Sequence, residues 1–309
     1  MDDLTNLLIS LLASGFRLMT PIALATMGIT ISEAAGVIHL SAEGIMLASA
    51  LSGVIASYYT GSSWLGLLFA IIIGSVFGII QGVANIKLKA NQVIVGFGIN
   101  FIGMGLTPIL LQHIWGNRGR SSEVARLPTL HWEFLDRVPF IGKLINGQGV
   151  TFFAALIALV ILIVLFNHTA FGLRLRMVGE HPAAAATAGI RVNLVRYIAV
   201  IIGCGLCGLA GADLSLNQLA LFTQNMTAGR GFVAVAANVV GGWSPLGGFL
   251  ASMLFGMADA LQLRLQGGVI PSQFAQMIPY LLTVLVVSGV GGRIPPRKLG
   301  VPYDPEQSS

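Results

Sequence analysis

The sequence predicts an all-α, polytopic integral membrane protein, and three observations carry that reading. Hydrophobic residues make up 55% of the chain and charged residues only 9%, against roughly 25% charged in soluble domains. The apolar residues fall into successive runs of about 20, the length that crosses a bilayer as a helix. Most basic residues gather in loops between those runs, as expected of segments facing an anionic inner leaflet. At 309 residues a single transmembrane domain over 1–309 has room for about nine crossings, with eight to ten the range.

Composition also excludes function classes. No GxxxxGK[ST] phosphate loop occurs, so any ATP that drives the chain's work is hydrolysed by another chain. The net charge of +5 reads as membrane topology rather than as a nucleic-acid surface. The N-terminus begins with Asp2 and Asp3 and lacks both a charged n-region and a small-residue cleavage site, so the first hydrophobic run is expected to stay in the mature protein. Cys204 and Cys207, spaced as CGLC among Gly203, Gly205, Gly208 and Gly211, read as small residues for helix packing rather than as a redox pair.

In chain order, Leu4 to Thr30 is apolar with Arg17 and Pro21 inside it, enough for one long helix or a hairpin of two short ones. An arginine near a bilayer centre costs about 2.5–3.5 kcal/mol, so Arg17 should face protein or water, or snorkel. Ile31 to Tyr59 contains Glu33, His39 and Glu43. His39 and Glu43, four apart, would share a helix face, which invites a metal or proton-relay reading; the preferred reading is a broken helix end whose Gly36 and Gly44 flank polar groups satisfied by neighbouring backbone. Trp64 to Asn85 spans, with Lys87 and Lys89 marking its cytoplasmic end. Val93 to Leu111 crosses back, carrying Asn100 as interhelical glue or a substrate contact.

The longest polar interval is 112–148. Arg118, Arg120, Arg126, Arg137 and Lys143 argue for the cytoplasm, but one crossing on each side separates this loop from two loops already placed there. Glu123, Glu133 and Asp136 reduce its net charge, and the crossings decide: it is an extracytoplasmic loop.

Val150 to Phe166 is an uncharged span ending in Asn167 and His168. After it, Arg174, Arg176, Arg191 and Arg196 stand against a single acid, Glu180, in a short cationic loop placed in the cytoplasm. Pro182 opens a short helix, the alanines after it propagate it, Gly189 caps its end, and Glu180 lies where a carboxylate would cap free N–H groups. Ile198 to Leu216 spans again with Asp213 near its outer end, and 217–230 is an external turn. Phe232 to Val240 is too short to span, and GGWSPLGG interrupts the chain. A broken helix at membrane depth is tolerated only where protein or a watery cavity covers it, which makes this a pathway candidate with Asn238 and Trp243 on it; a tight cytoplasmic turn is the alternative. Phe249 to Leu263 contains Asp259, a candidate structural pair with Arg264. Pro271 and Gln273 introduce a last span over 274–290, and Arg293, Arg297 and Lys298 place the C-terminus in the cytoplasm.

Five stretches, SEAAGVIHLSAEGIMLASA, GLRLRMVGEHPAAAATAGI, MTAGRGFVAVAANVVGGWSPLGG, FGMADALQLRLQ and IPSQFAQMIPYLLT, together resemble the permeases of bacterial ABC importers. The branch is that of ribose, branched-chain amino-acid and nucleoside permeases, with the nucleoside permeases nearest. The resemblance implies that 172–191 is a cytoplasmic coupling loop docking an ABC ATPase through Gly172, Arg174, Arg176, Gly179, Glu180, His181, Pro182, Ala185, Ala188 and Gly189. It also implies an extracytoplasmic substrate-binding protein, a second permease subunit forming a heterodimer or, alternatively, a homodimer, and a place in the cell inner membrane. No cofactor is expected on this chain, with ATP and Mg held by the ATPase, and no nucleic-acid partner. Glu43, Asn100, Asn238 and Trp243 are the substrate-pathway candidates. The family's usual sequence has Asn where this chain has His39, so no family role is placed there. Competing readings are a sugar-type permease and an ion-coupled secondary transporter using Glu43, Asp213 or Asp259. A membrane enzyme is disfavoured, since neither an HExxH pair nor a nucleophile with its base is present.

Overall fold

The N-terminal apolar run forms one helix, α1 (Asp2–Ala34), and not a hairpin, in the computed structural model of the protein, which describes residues 2–131, 141–266, 274, 277–289 and 294–304. Pro21 lies inside α1, where it cannot donate to the carbonyl of Arg17. Gln218 Nε2 donates to that carbonyl instead, at 3.3 Å, so the helix continues through the proline.

The helices that follow are α2 (Ala42–Thr60), α3 (Ser63–Gly82) with a π-helical turn Val83–Lys87, and α4 (Gln92–Trp115). The next interval contains a two-residue strand pair, β1 (Thr129–Leu130) antiparallel to β2 (Gln148–Gly149), and the short α5 (Ile141–Ile145). Then come α6 (Val150–His168), α7 (Ala170–Glu180), α8 (Pro182–Thr187), and α9 (Val192–Ala212) with a π-helical extension Asp213–Leu219. The chain ends with α10 (Arg230–Val240), α11 (Pro245–Leu265) and α12 (Ile278–Gly289).

Among the described residues, six helices are long and apolar enough to cross a membrane: Leu8–Ala34, Ser63–Lys87, Gln92–Trp115, Val150–His168, Val192–Leu219 and Pro245–Leu265. The other three expected crossings take different forms. α10 has 11 residues, about 16 Å at 1.5 Å per residue, half of the ~30 Å hydrocarbon core. α2 is long enough at 19 residues but is diluted by Ser, Gly and Glu. The expected last span falls partly outside the described residues, as do Glu133, Asp136, Arg137, Pro139, Pro271, Gln273 and Arg293.

The bundle has two distinct ends. One holds the 87–91 turn, α7, α8 and the C-terminal segment: Lys298 N donates to Gly179 O (3.0 Å), and Lys89 pairs with Asp304 (2.7 Å). The other holds the 116–131 stretch and the start of the 220–229 turn, where Ser121 N donates to Phe222 O (2.9 Å). α9 runs antiparallel to α1 between these ends, and Gly28 meets Gly203 so closely that a Cβ on either would lie within 2.4 Å of the other's carbonyl oxygen. Close packing is thus what the small residues around Cys204 and Cys207 provide; both cysteines are free and buried.

Two breaks distinguish the bundle from a set of through-going helices. After α1 the chain does not leave the bundle but climbs back along α9: Ala35 lies beside Arg196, His39 beside Cys204 and Cys207, and Gly211 packs on Met46 of α2. From the opposite end, the segment after Leu219 descends until α10 starts against Glu43 of α2. α10 then runs down α1, with Ala234 beside Thr26, Asn238 beside Thr30 and Trp243 beside Glu33.

Candidate functional site

Both broken helices begin next to each other inside the bundle, and their backbone would be unsatisfied there without side chains brought from elsewhere in the chain. Segment 35–41, a turn at 35–36 followed by irregular backbone, runs inward. Arg196 Nε donates to Ala35 O (3.1 Å), Gln92 Oε1 accepts from Ile38 N (2.8 Å), Gln81 Nε2 donates to Ile38 O (3.2 Å), and Asn100 Nδ2 donates to Leu40 O (2.8 Å). Asn100 Oδ1 accepts from Gly44 N at 2.8 Å, so one buried amide stitches the segment to the first turn of α2. His39 is fully buried in this segment, its Nδ1 3.0 Å from Ser32 Oγ and its Nε2 3.8 and 3.7 Å from the sulfurs of Cys204 and Cys207.

That placement agrees with the preferred reading of a broken helix end and rules out a His39–Glu43 pair on one helix face, because α2 begins only at Ala42, after His39. Among the described residues no group of three or more His, Cys, Asp or Glu is arranged to hold a metal ion.

Glu43 serves the start of α10. Its Oε1 accepts from Thr227 Oγ1 (2.6 Å) and Gly229 N (2.8 Å), and its Oε2 from Gly231 N (2.7 Å). A carboxylate at a helix N-terminus both satisfies free N–H groups and complements the helix dipole. Gly231 makes the approach possible: a Cβ there would lie 2.4 Å from Glu43 N. Asp213 is satisfied in the same manner, accepting from Thr151 Oγ1, Asn217 Nδ2 (2.8 Å) and Gln218 Nε2 (2.7 Å). Asp259 forms its ion pair with Arg230 (Nε–Oδ2 3.9 Å), while Arg264 donates to Ser10, so the expected Asp259–Arg264 pair is replaced by one that fixes α10 to α11.

At the other end of α10 the organising group is Glu33, to which the sequence reading gave no role. Its Oε2 accepts from Asn238 Nδ2 (2.8 Å) and Trp243 Nε1 (2.7 Å), and Thr30 Oγ1 donates to Asn238 Oδ1 (2.7 Å). Trp243 has φ +52°, the left-handed backbone of the tight 241–243 turn. All four pathway candidates, Glu43, Asn100, Asn238 and Trp243, therefore direct polar atoms at the two breaks. Glu33, Gln81, Gln92 and Arg196 complete that set; Arg196, expected among the cations of the short cytoplasmic loop, is instead buried, because α9 already begins at Val192 and carries it to Ala35 O.

The 172–191 loop lies at the end shared with the C-terminal segment. Pro182 opens α8 and Gly189 adopts φ +80°, as the sequence predicts. Glu180 closes α7 instead of capping α8: its Oε2 accepts from Arg297 N at 3.4 Å, and α8 has no side-chain cap. Gly172, Gly179, Pro182 and Ala185 are buried within the chain, whereas Arg174, Arg176, His181, Ala183, Ala184, Ala188 and Gly189 are exposed. Exposed Leu173 and Met177 border a groove of about 600 Å³ between α7 and the start of α9. A second cavity, of about 390 Å³, separates Arg176 and Glu180 from the Trp243 turn.

Three relatives align along almost their whole length. The guanosine ABC transporter permease NupQ of Bacillus subtilis is 33% identical, over 97% of this chain and 98% of its own. The nucleoside ABC transporter permease NupC of Lactococcus lactis is also 33% identical over 97% and 98%. TsgC13 of Haloferax volcanii, named as a glucose ABC transporter permease, is 34% identical over 94% of each chain. A solved structure described as an inward-facing, metal-chelate type ABC transporter shares the fold at TM-score 0.53 and 14% identity, covering 90% of this chain and 85% of its own. Residues 11–287 match the family described as branched-chain amino acid transport system / permease component, and the chain belongs to that family, as a multi-pass protein of the cell membrane.

Proposed function

We propose that the chain is the transmembrane permease subunit of an ATP-driven importer that moves nucleosides from an extracytoplasmic binding protein across the inner membrane. The observation that carries the reading is the end-to-end match to NupQ and NupC at 33% identity, because a shared fold alone would indicate no substrate class. The coupling loop 172–191 docks a cytoplasmic ABC ATPase, which holds the ATP and Mg; this chain is not an enzyme and has no cofactor of its own. Within the loop, the exposed Arg174, Arg176, Ala184 and Ala188 face the ATPase, and the buried Gly172, Gly179 and Ala185 fix the loop's shape.

A second, related permease completes the pathway as a heterodimer. The binding protein docks at the 112–148 end, outside the cell, and the C-terminus lies in the cytoplasm with the coupling loop. Crossings by α1, α2, α3, α4, α6, α9, the half-helix α10, α11 and the segment ending in α12 make the total nine, with the N-terminus outside.

Sugar transport is the second reading, favoured by the match to TsgC13. Uptake of labelled guanosine in cells expressing the chain with its ATPase, second permease and binding protein separates the two. Competition by unlabelled nucleosides but not by glucose is the expected result, and competition by glucose alone would assign the sugar reading.

A further inference from the structure

We propose that Arg196 and the C-terminal segment 297–304 form a strap that positions the root of the coupling loop against segment 35–41, so that displacement of the loop is delivered to the two interior helix starts. The proposal rests on the permease reading above.

The loop's root and the inward segment touch without side chains between them. A Cβ on Gly179, in the last turn of α7, would lie 2.2 Å from Ala34 O, and one on Gly36 would lie 3.5 Å from Gly179 Cα. The strap closes over this contact and bonds to both sides of it. Lys298 N donates to Gly179 O and Gly300 N donates to Gly36 O, each at 3.0 Å. Only Leu299 separates those donors, so one short piece of backbone holds the loop and the inward segment together.

Arg196 anchors the strap from beneath. Its side chain is buried, with Nε donating to Ala35 O and Nη1 to Val301 O, each at 3.1 Å. Burying a guanidinium is costly, and both of these bonds go to backbone on opposite sides of the junction, which is cross-linking rather than simple filling of space. Lys89 pairs with Asp304 at 2.7 Å, and Glu180 accepts from Arg297 N at 3.4 Å, so both ends of the strap are fastened as well.

What moves Gly36 moves both breaks. Downstream in the chain, segment 35–41 leads into α2 and to Glu43, which holds the start of α10. Just upstream, Glu33 holds the other end of α10 through Asn238 and Trp243. The loop, the strap and the two ends of α10 thus form one continuous set of bonded contacts, and a coupling assay is the physical test of whether it transmits.

The test uses the full complex, with ATPase, second permease and binding protein, in liposomes, reading ATP hydrolysis and guanosine uptake from the same vesicles. A chain ending at Pro296 should assemble and hydrolyse ATP within about twofold of the parent while uptake per ATP falls about tenfold, an ordinary coupling magnitude. The second arm joins Glu180→Cys to Arg297→Cys with a short cleavable dithiol-reactive linker and compares this double variant only with itself, unlinked and linked, so that any effect of losing Glu180 cancels; Cys204 and Cys207 are buried and do not compete. Because loop and strap move as one body, uptake per ATP should be unchanged by the linker. Parent-level uptake per ATP in the shortened chain, or loss of uptake on linking that cleavage restores, would overturn the proposal. Should the shortened chain fail to accumulate, the linked pair decides alone. A parent complex that neither hydrolyses ATP nor takes up guanosine would count against the permease reading instead.

Discussion

Replacing Glu43 distinguishes a structural carboxylate from an ion-coupling one. Glu43→Ala removes the acceptor for Thr227 Oγ1, Gly229 N and Gly231 N, bonded at 2.6, 2.8 and 2.7 Å around a side chain only 1% exposed. A buried donor left without a partner costs about 1–3 kcal/mol, so three sum to about 3–9 kcal/mol before water or local relaxation recovers a share. Glu43→Gln keeps one carbonyl oxygen and turns an NH₂ group toward the remaining donors, so its loss is smaller, about 1–3 kcal/mol. The assay is the temperature at which half of the monodisperse gel-filtration peak is lost in detergent, a kinetic measure of stability. The expected order is parent, then Gln, then Ala, with Gln retaining uptake in proportion to folded protein. Glu43→Ala melting with the parent would refute the capping account, and a well-folded Gln variant without uptake would assign the carboxylate to ion coupling.

Further expectations concern the loop, the topology and the Trp243 turn. Ala185 is fully buried and Ala184 exposed, so Ala185→Arg should prevent folding, whereas Ala184→Arg should leave a folded permease that no longer co-purifies with its ATPase. A loss of about 3 kcal/mol in docking weakens a complex roughly a hundredfold. Cysteines introduced at Lys87, Arg191 and Arg297 should label only from the cytoplasm and one at Glu123 only from outside; cytoplasmic labelling at Glu123 would contradict the order of crossings. Trp243→Phe removes the 2.7 Å bond to Glu33 and should lower the same melting temperature as a loss of about 1–3 kcal/mol; an unchanged value would show that the turn does not depend on that bond.

The sequence made some of this architecture legible because the information was local. α4 begins where Asn91 accepts from Val93 N and Ile94 N, α3 where Ser62 accepts from Leu65 N, and α11 where Ser244 accepts from Gly247 N, each at the edge of an apolar run. Pro182 and Gly189 delimit α8 by the same kind of local signal. What stayed hidden depends on partners far away in the chain. Pro21 gave no sign of one helix or two, because the carbonyl it leaves unpaired, Arg17 O, is bonded by Gln218, 201 positions beyond Arg17. Segment 35–41 is held by Gln81, Gln92, Asn100 and Arg196, none of which a periodicity argument connects to it. Asn100 had two readings, glue or substrate contact, and both ends of its amide bind backbone at the break. Glu33 carried no legible role, since only the folded chain brings Asn238 and Trp243 to it.

The most direct test of the central claim is guanosine uptake into liposomes holding either this chain alone or the chain with its ATPase, second permease and binding protein. Uptake is expected only in the complete set, only with ATP inside the compartment that holds the ATPase, and unaffected by collapsing proton and sodium gradients. Sustained uptake by the chain alone, driven by either gradient without ATP, would contradict that claim and establish the ion-coupled reading.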